Sequence, residues 1–150
     1  MTVRALLSPF QDVCLNLALE ETLFRGVGAG DPGWLLFWRD APSVVVGRFQ
    51  DVQAEVDPEA MAARRVRLAR RITGGGAVYH DLGVLNFSVL VPAGRSERLM
   101  EETAGAMAEA LRRLGLPAEH SGRNDVTVEG RKVCGMAGSS SGAAQLCHGS

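Results

Sequence analysis

Two stretches of the chain carry residue types that can handle phosphate. The first is Arg70-Arg71-Ile72-Thr73-Gly74-Gly75-Gly76. Consecutive glycines let a ligand lie against the backbone, and successive amides in such a run can point at one anion. The arginines upstream add fixed positive charge, and a planar guanidinium fork can bind two phosphate oxygens. The same run also reads as a flexible turn beside a solvated basic face, so by itself it supports either an anion site or a turn. The second stretch is Gly122-Arg123-Asn124-Asp125, followed by Lys132 at the start of a strand. Asn can donate and accept hydrogen bonds, and Asp can hold Mg²⁺ beside phosphates. A lysine ammonium near a developing phosphate or acyl oxyanion stabilises the charge of the transition state. The alternative here is a polar hairpin with a solvated Arg-Lys tip.

Other candidates carry less. Gly26-Val27-Gly28-Ala29-Gly30 follows a helix and does not open one, so it fails as a dinucleotide fingerprint. No Walker A sequence is present. His80 and Asp81 are neighbours on a strand and point to opposite faces, so they do not make an acid–base pair. Cys147 is a nucleophile by type, but no feature of the sequence lowers its pKa, and a buried, inert thiol is its default state. His120 falls in a loop and carries no signal.

The elements that must position these residues follow from spacing. Asp12 caps a helix to about Arg25, with Leu15, Ala18, Leu19, Thr22 and Leu23 at helical spacing and Gly26 as the stop. Trp34–Trp38 and Ser43–Gly47, split by Asp40-Ala41-Pro42, read as a hairpin. Asp57-Pro58 opens a short helix, and Val66–Ala69 is a strand leading into Arg70. Ala77–His80 and Val84–Val91 read as a strand pair. Ser96 caps a helix striped by Leu99, Thr103, Met107, Leu111 and Leu114, with Met100, Ala104 and Ala108 alongside. Gly115 and Pro117 end it. Val126–Val128 and Lys132–Cys134 flank a tight Glu129-Gly130 turn, and Gly135–Gly142 reads as a loose loop. The expected fold class is α+β, a mainly antiparallel mixed sheet flanked by helices.

The bulk properties narrow the function classes. At 150 residues the chain is one domain or most of one. A formal net charge of −1 gives no global attraction to nucleic acid or an anionic membrane, although Arg64, Arg65, Arg67, Arg70 and Arg71 cluster locally. The N-terminal stretch has no signal-peptide pattern, and no apolar run reaches membrane-helix length. Cys14, Cys134 and Cys147 are widely spaced and lack a C-x-x-C pair, which argues against a disulfide framework or zinc site and fits a reducing cytoplasm.

Taken in order, the motifs resemble the lipoate-protein ligase A family. The resemblance rests on Arg70-Arg71-x-Thr73-Gly74-Gly75-Gly76-Ala77-Val78-Tyr79-His80-Asp81, then Leu85-Asn86-Phe87-Ser88, Gly122-Arg123-Asn124-Asp125, Gly130-Arg131-Lys132-Val133-x-Gly135 and His148-Gly149. Asn16-Leu17-Ala18-Leu19-Glu20-Glu21 and Val44-Val45-Val46-Gly47-Arg48 extend it over nearly the whole chain. Two departures stand out: Val84 where Asn is frequent, which removes a polar contact to the nucleotide, and Cys134 where Ser is common.

The resemblance implies the fold of biotin-protein ligases and class II tRNA synthetases, and a two-step reaction. Lipoate or octanoate and ATP give an acyl-adenylate and pyrophosphate, and the acyl group then passes to a lysine of a lipoyl domain. The implied acceptors are 2-oxoacid dehydrogenase complexes and the glycine cleavage H protein, with no nucleic acid or membrane partner. By position, Lys132 is the catalytic cation. Arg71, Thr73, Gly74, Gly75, Gly76, Val78, Tyr79, Asn124, Asp125 and His148 bind substrate or nucleotide, with Asp125 on Mg²⁺. The family continues into further strands and a helix, so the resemblance predicts a C-terminally incomplete domain. Two rival readings remain: an octanoyl or lipoyl amidotransferase of the same fold working through a Cys thioester, and a non-catalytic lipoate or adenylate binder.

Overall fold

The computed structural model describes residues 3–122 and 124–150; Arg123, named above, lies outside them. Strands β1 (Arg4–Leu7) and β2 (Trp34–Trp38) are separated by helix α1 (Val13–Gly26). β3 (Ser43–Val46) is followed by two short helices, α2 (Val52–Glu55) and α3 (Pro58–Ala63), and by β4 (Arg67–Arg70). β5 (Val78–His80) and β6 (Asn86–Pro92) precede helix α4 (Leu99–Arg113). The chain ends with β7 (Ala118–Ser121), β8 (Asp125–Val128), β9 (Arg131–Ser140) and β10 (Ala144–Gly149). A seven-stranded sheet has the order β1-β2-β6-β10-β9-β8-β7, and a three-stranded sheet the order β4-β3-β5. Among the described residues only β1–β2 and β3–β4 pair in parallel; the other pairs are antiparallel, in line with the mainly antiparallel α+β expectation.

Local chemistry explains the element boundaries. Asp12 accepts hydrogen bonds from the amides of Cys14 and Leu15, and Asp57 caps α3 from in front of Pro58. Glu129 and Gly130 both have positive φ (50° and 74°), the geometry of a two-residue turn whose twist matches a hairpin. Helix α4 starts at Leu99, later than the Ser96 cap expected; the Ser96 hydroxyl instead accepts from the Arg98 amide, and the helix N-terminus has no side-chain cap.

Several expectations change. β2 and β3 are not a hairpin. β2 sits inside the large sheet between β1 and β6, while β3 is the centre of the small one. Asp40, between them, is fully buried and hydrogen-bonded, so the linker is a structural crossing and not a surface turn. β5 and β6 likewise belong to different sheets, pairing with β3 and with β2 and β10. Most of the glycine- and serine-rich stretch 135–142 continues β9, because the backbone finds ladder partners in β10. The buried face of α1 is Val13, Asn16, Glu20 and Phe24, while Leu15 is half exposed. Asn16 and Glu20 point inward because partners await them there.

Helix α1 is gripped from two sides. Leu19, Leu23 and Phe24 pack with Leu36, Trp38, Leu90 and Leu146 of the large sheet. Val13 and Leu17 pack with Val45 and Ala69 of the small sheet. Helix α4 covers the opposite face of the large sheet through Ala104 and Ala108, against Phe87, Val126, Cys134 and Cys147. Among the described residues, no helix is long and apolar enough to cross a membrane.

Candidate active site

A cavity of about 330 Å³ opens where the small sheet meets the ends of β9 and β10. One wall is the glycine loop after β4. Arg71 is 7% exposed, and it does not project freely into the space. Its guanidinium donates to the Val45 carbonyl at 3.1 Å, to Thr73 Oγ1 at 3.1 Å, and to the Gly74 and Gly76 carbonyls at 2.8 Å each. The loop is therefore wrapped around the arginine. Gly47 makes this possible: a Cβ there would lie 2.1 Å from the Gly75 carbonyl oxygen, so only glycine lets β3 pass under the loop. Arg70 secures the same corner by donating to the Gly47 and Gln50 carbonyls, both at 2.8 Å. Among the described residues, no carboxylate comes within 4.0 Å of the Arg71 guanidinium. Burial lowers its pKa, partly opposed by the field of Glu20, but a guanidinium stays charged. Carbonyl dipoles satisfy its donors without cancelling its charge, so this wall favours an anion.

The facing wall is β8 and β9. Between Val126 and Thr127 the register shifts: Val126 pairs with Cys134, whereas Thr127 pairs with Lys132. Plain alternation would put Lys132 on the same face as Cys134, in the core. The bulge turns it onto the face of Gly135 instead. A Cβ on Gly135 would lie 2.8 Å from Lys132 Cε and 3.0 Å from Nζ, so the missing side chain is the bed on which the lysine lies. Asp125, cross-strand from Gly135, places Oδ1 2.8 Å from Lys132 Nζ, close enough for an ion pair but without hydrogen-bond alignment. The lysine is more than half exposed, so this pair opens at little cost. Asn124 is stitched to β9 on both sides: its Nδ2 donates to the Met136 carbonyl at 2.8 Å and its carbonyl accepts from the Met136 amide at 2.9 Å.

Two buried polar networks support the cavity. In one, Glu20 accepts from Ser88 Oγ and meets His148 Nδ1 at 2.8 Å, while His148 Nε2 lies 2.7 Å from Thr73 Oγ1. This chain ties α1 through β10 to the glycine loop. In the other, Asp40 meets His80 Nδ1 at 2.9 Å and accepts from Asn16 Nδ2 at 2.7 Å, with Trp38 Nε1 and Asn86 Nδ2 at 3.3 and 3.4 Å. Sequence spacing offers His80 only Asp81 as a partner. Asp40, Glu20 and Asn16 are not among the expected site residues, although Asn16 and Glu20 interrupt an apolar helix face at i, i+4, which is the signal for a buried polar pair.

Of the residues expected at the site, Arg71, Gly75, Gly76, Val78, Asn124, Lys132 and His148 line the cavity. Thr73 and Gly74 stand behind it, holding Arg71. Tyr79 alternates to the outer face of β5, where it is 53% exposed and stands outside the cavity lining. Asp125 reaches the rim only through Lys132. Among the described residues, no cluster of three His, Cys, Asp or Glu side chains builds a metal cage. A single carboxylate fits a Mg²⁺ that arrives with phosphates, since Mg²⁺ takes one or two protein carboxylates and fills its shell with phosphate and water.

The thiols lie elsewhere. Cys147 and Cys134 are buried against α4, on the far side of the sheet. Burial pushes both up to about 11. Neither is a thiolate at neutral pH, so the cavity holds no nucleophile for a Cys thioester.

This site belongs to a known architecture. The catalytic domain of lipoyl protein ligases A and B matches residues 12–150, and the chain belongs to that family. It is 38% identical, over 99% of its length and 45% of the relative's, to a probable lipoate-protein ligase A of Mycoplasma pneumoniae. The chain thus spans about half the length of that curated relative. A bi-partite lipoate protein ligase from Thermoplasma acidophilum, studied with its E2 lipoyl domain, superposes with a TM-score of 0.92 at 40% identity, covering 99% of this chain and 60% of that one. A lipoate-protein ligase A solved with ATP gives 0.88 at 37% identity, over 99% of this chain and 66% of that one.

Proposed function

We propose that the chain carries the adenylating site of a lipoate-protein ligase. The observation that supports this best is the opposition, across one cavity, of Arg71, held by carbonyls inside its glycine loop, and Lys132 on its bulged strand. A carboxylate and a triphosphate repel each other, and two facing cations offset that repulsion. A lipoate carboxylate oxygen attacks the α-phosphorus of ATP. The bond to the β-phosphate oxygen breaks, and pyrophosphate leaves. In the second step the amine of an acceptor lysine attacks the acyl carbon, and AMP departs. Lys132 opens from Asp125 to stabilise charge at the α-phosphate and the acyl carbonyl. Leu17, Trp38, Val45 and Met136 give an apolar surface suited to a lipoyl or octanoyl chain, and His148 lies beside it.

Under this reading Gly74–Gly76 carry the nucleotide against the backbone, Val78 borders the adenosine, and Asn124 faces the phosphates. Mg²⁺, held by Asp125 with the phosphates, would neutralise charge on the departing pyrophosphate. A relative solved with lipoic acid and another solved with ATP support both substrates. The acceptors are lipoyl domains, as in 2-oxoacid dehydrogenase complexes and the glycine cleavage H protein, and the free thiols suit a cytoplasmic setting. Lys132→Ala is expected to lower lipoate-dependent pyrophosphate release by at least about 10²-fold, the scale for losing one transition-state charge partner. It should leave the unfolding midpoint unchanged. Retained release in the variant would remove Lys132 from the chemistry.

A further inference from the structure

The transfer step needs a base. An acceptor lysine arrives as an ammonium, and its nitrogen must shed protons to attack an acyl carbon. The cavity offers few acceptors. Lys132 is itself a cation paired with Asp125. Arg71 is a cation with its donors spent on carbonyls. His148 has both ring nitrogens committed, to Glu20 and to Thr73. His80 differs. Its Nδ1 lies 2.9 Å from the buried Asp40 carboxylate, and among the described residues its Nε2 has neither a hydrogen-bond partner nor a place among the buried unpartnered atoms. A carboxylate accepts, so Nδ1 carries the proton and Nε2 presents a lone pair to the cavity. Asp40 is fixed in turn by Asn16, Trp38 and Asn86. This is an oriented imidazole of the kind that serves general-base catalysis.

We propose that His80, oriented by Asp40, is the general base for acyl transfer to the acceptor amine, an inference that rests on the ligase reading. The acceptor ammonium first gives one proton to His80 Nε2, and the imidazolium passes it to water. The freed amine then attacks: the C–N bond forms, the acyl–phosphate C–O bond breaks, AMP leaves as its anion, and the second proton lost from the nitrogen goes to water. Asp40 stabilises that imidazolium, while the charges of Lys132 and Arg71 oppose it.

The experiment supplies preformed lipoyl-adenylate to the protein and follows single-turnover transfer to a lipoyl domain or to hydroxylamine, which is neutral near pH 7. His80→Gln is expected to slow transfer to the lipoyl domain by about 10²-fold or more. Transfer to hydroxylamine should change far less. The log rate of the wild type should bend at a histidine titration, and the bend should vanish in the variant. Asp40→Asn keeps an acceptor for Nδ1 but removes the charge, so it should move the bend to lower pH. Equal slowing with both nucleophiles, or a bend that persists in His80→Gln, overturns the proposal. Pyrophosphate release from ATP, measured in parallel, tests the ligase reading separately.

Discussion

At the scale of single residues, position matters more than type. Lys132 points at the cavity because a bulge re-aims it and Gly135 leaves room for it. Arg71 offers charge because its partners are carbonyls and not carboxylates. The cysteines show the converse: nucleophilic by type, they are made inert by placement. In the unfolded chain these thiols titrate near 9.0, and in the fold Cys134 and Cys147 move to about 11. The folded state therefore prefers the neutral thiol. That stabilisation is complete below pH 9 and fades as pH climbs through about 11. Replacing Cys147 by Ala should flatten the alkaline fall of the denaturation midpoint. Alkylation of the native protein at pH near 8 should label the exposed Cys14 alone, and labelling of Cys147 would contradict its placement.

At the scale of elements, helix α1 is the keystone of the site, through polar contacts as much as apolar ones. Glu20 holds Ser88 and His148, and His148 holds Thr73 in the glycine loop. Glu20→Ala leaves a buried imidazole and hydroxyl without their acceptor. A loss of about 3 kcal/mol follows, as for breaking other buried polar pairs, readable as a lower denaturant midpoint. A midpoint within error of the wild type would mean that the network carries no stability. The Asp12 and Asp57 caps and the Glu129-Gly130 hairpin are legible in the sequence because they depend on local residues alone, whereas Ser96 does not cap α4. The sheet partners are not legible in this way. Trp34–Trp38 and Ser43–Gly47 look like a hairpin at short range, but long-range pairing with Asn86–Pro92 and Arg67–Arg70 wins. The buried face of α1 differs from the expected one for a related reason: Asn16 and Glu20 are polar by type, and only distant partners such as Asp40 and His148 make burying them favourable. The glycine loop and Lys132 were recognised by motif, while the Asp40–His80 pair, 40 residues apart in sequence, had no local signature.

At the scale of the whole molecule, two sheets grip one helix, and the cavity lies on their seam. Its charged walls come from separate sheets: Arg71 follows the small one, and Lys132 lies on the large one. Under the proposed function this seam is the cradle of an acyl-adenylate. The most direct test is a crystal structure of the protein with a non-hydrolysable lipoyl-adenylate. The phosphate mimic is expected within hydrogen-bond reach, about 3 Å, of Lys132 Nζ, with the acyl chain against Leu17, Trp38 and Met136. A ligand bound away from Lys132 and the Gly74–Gly76 loop would contradict it.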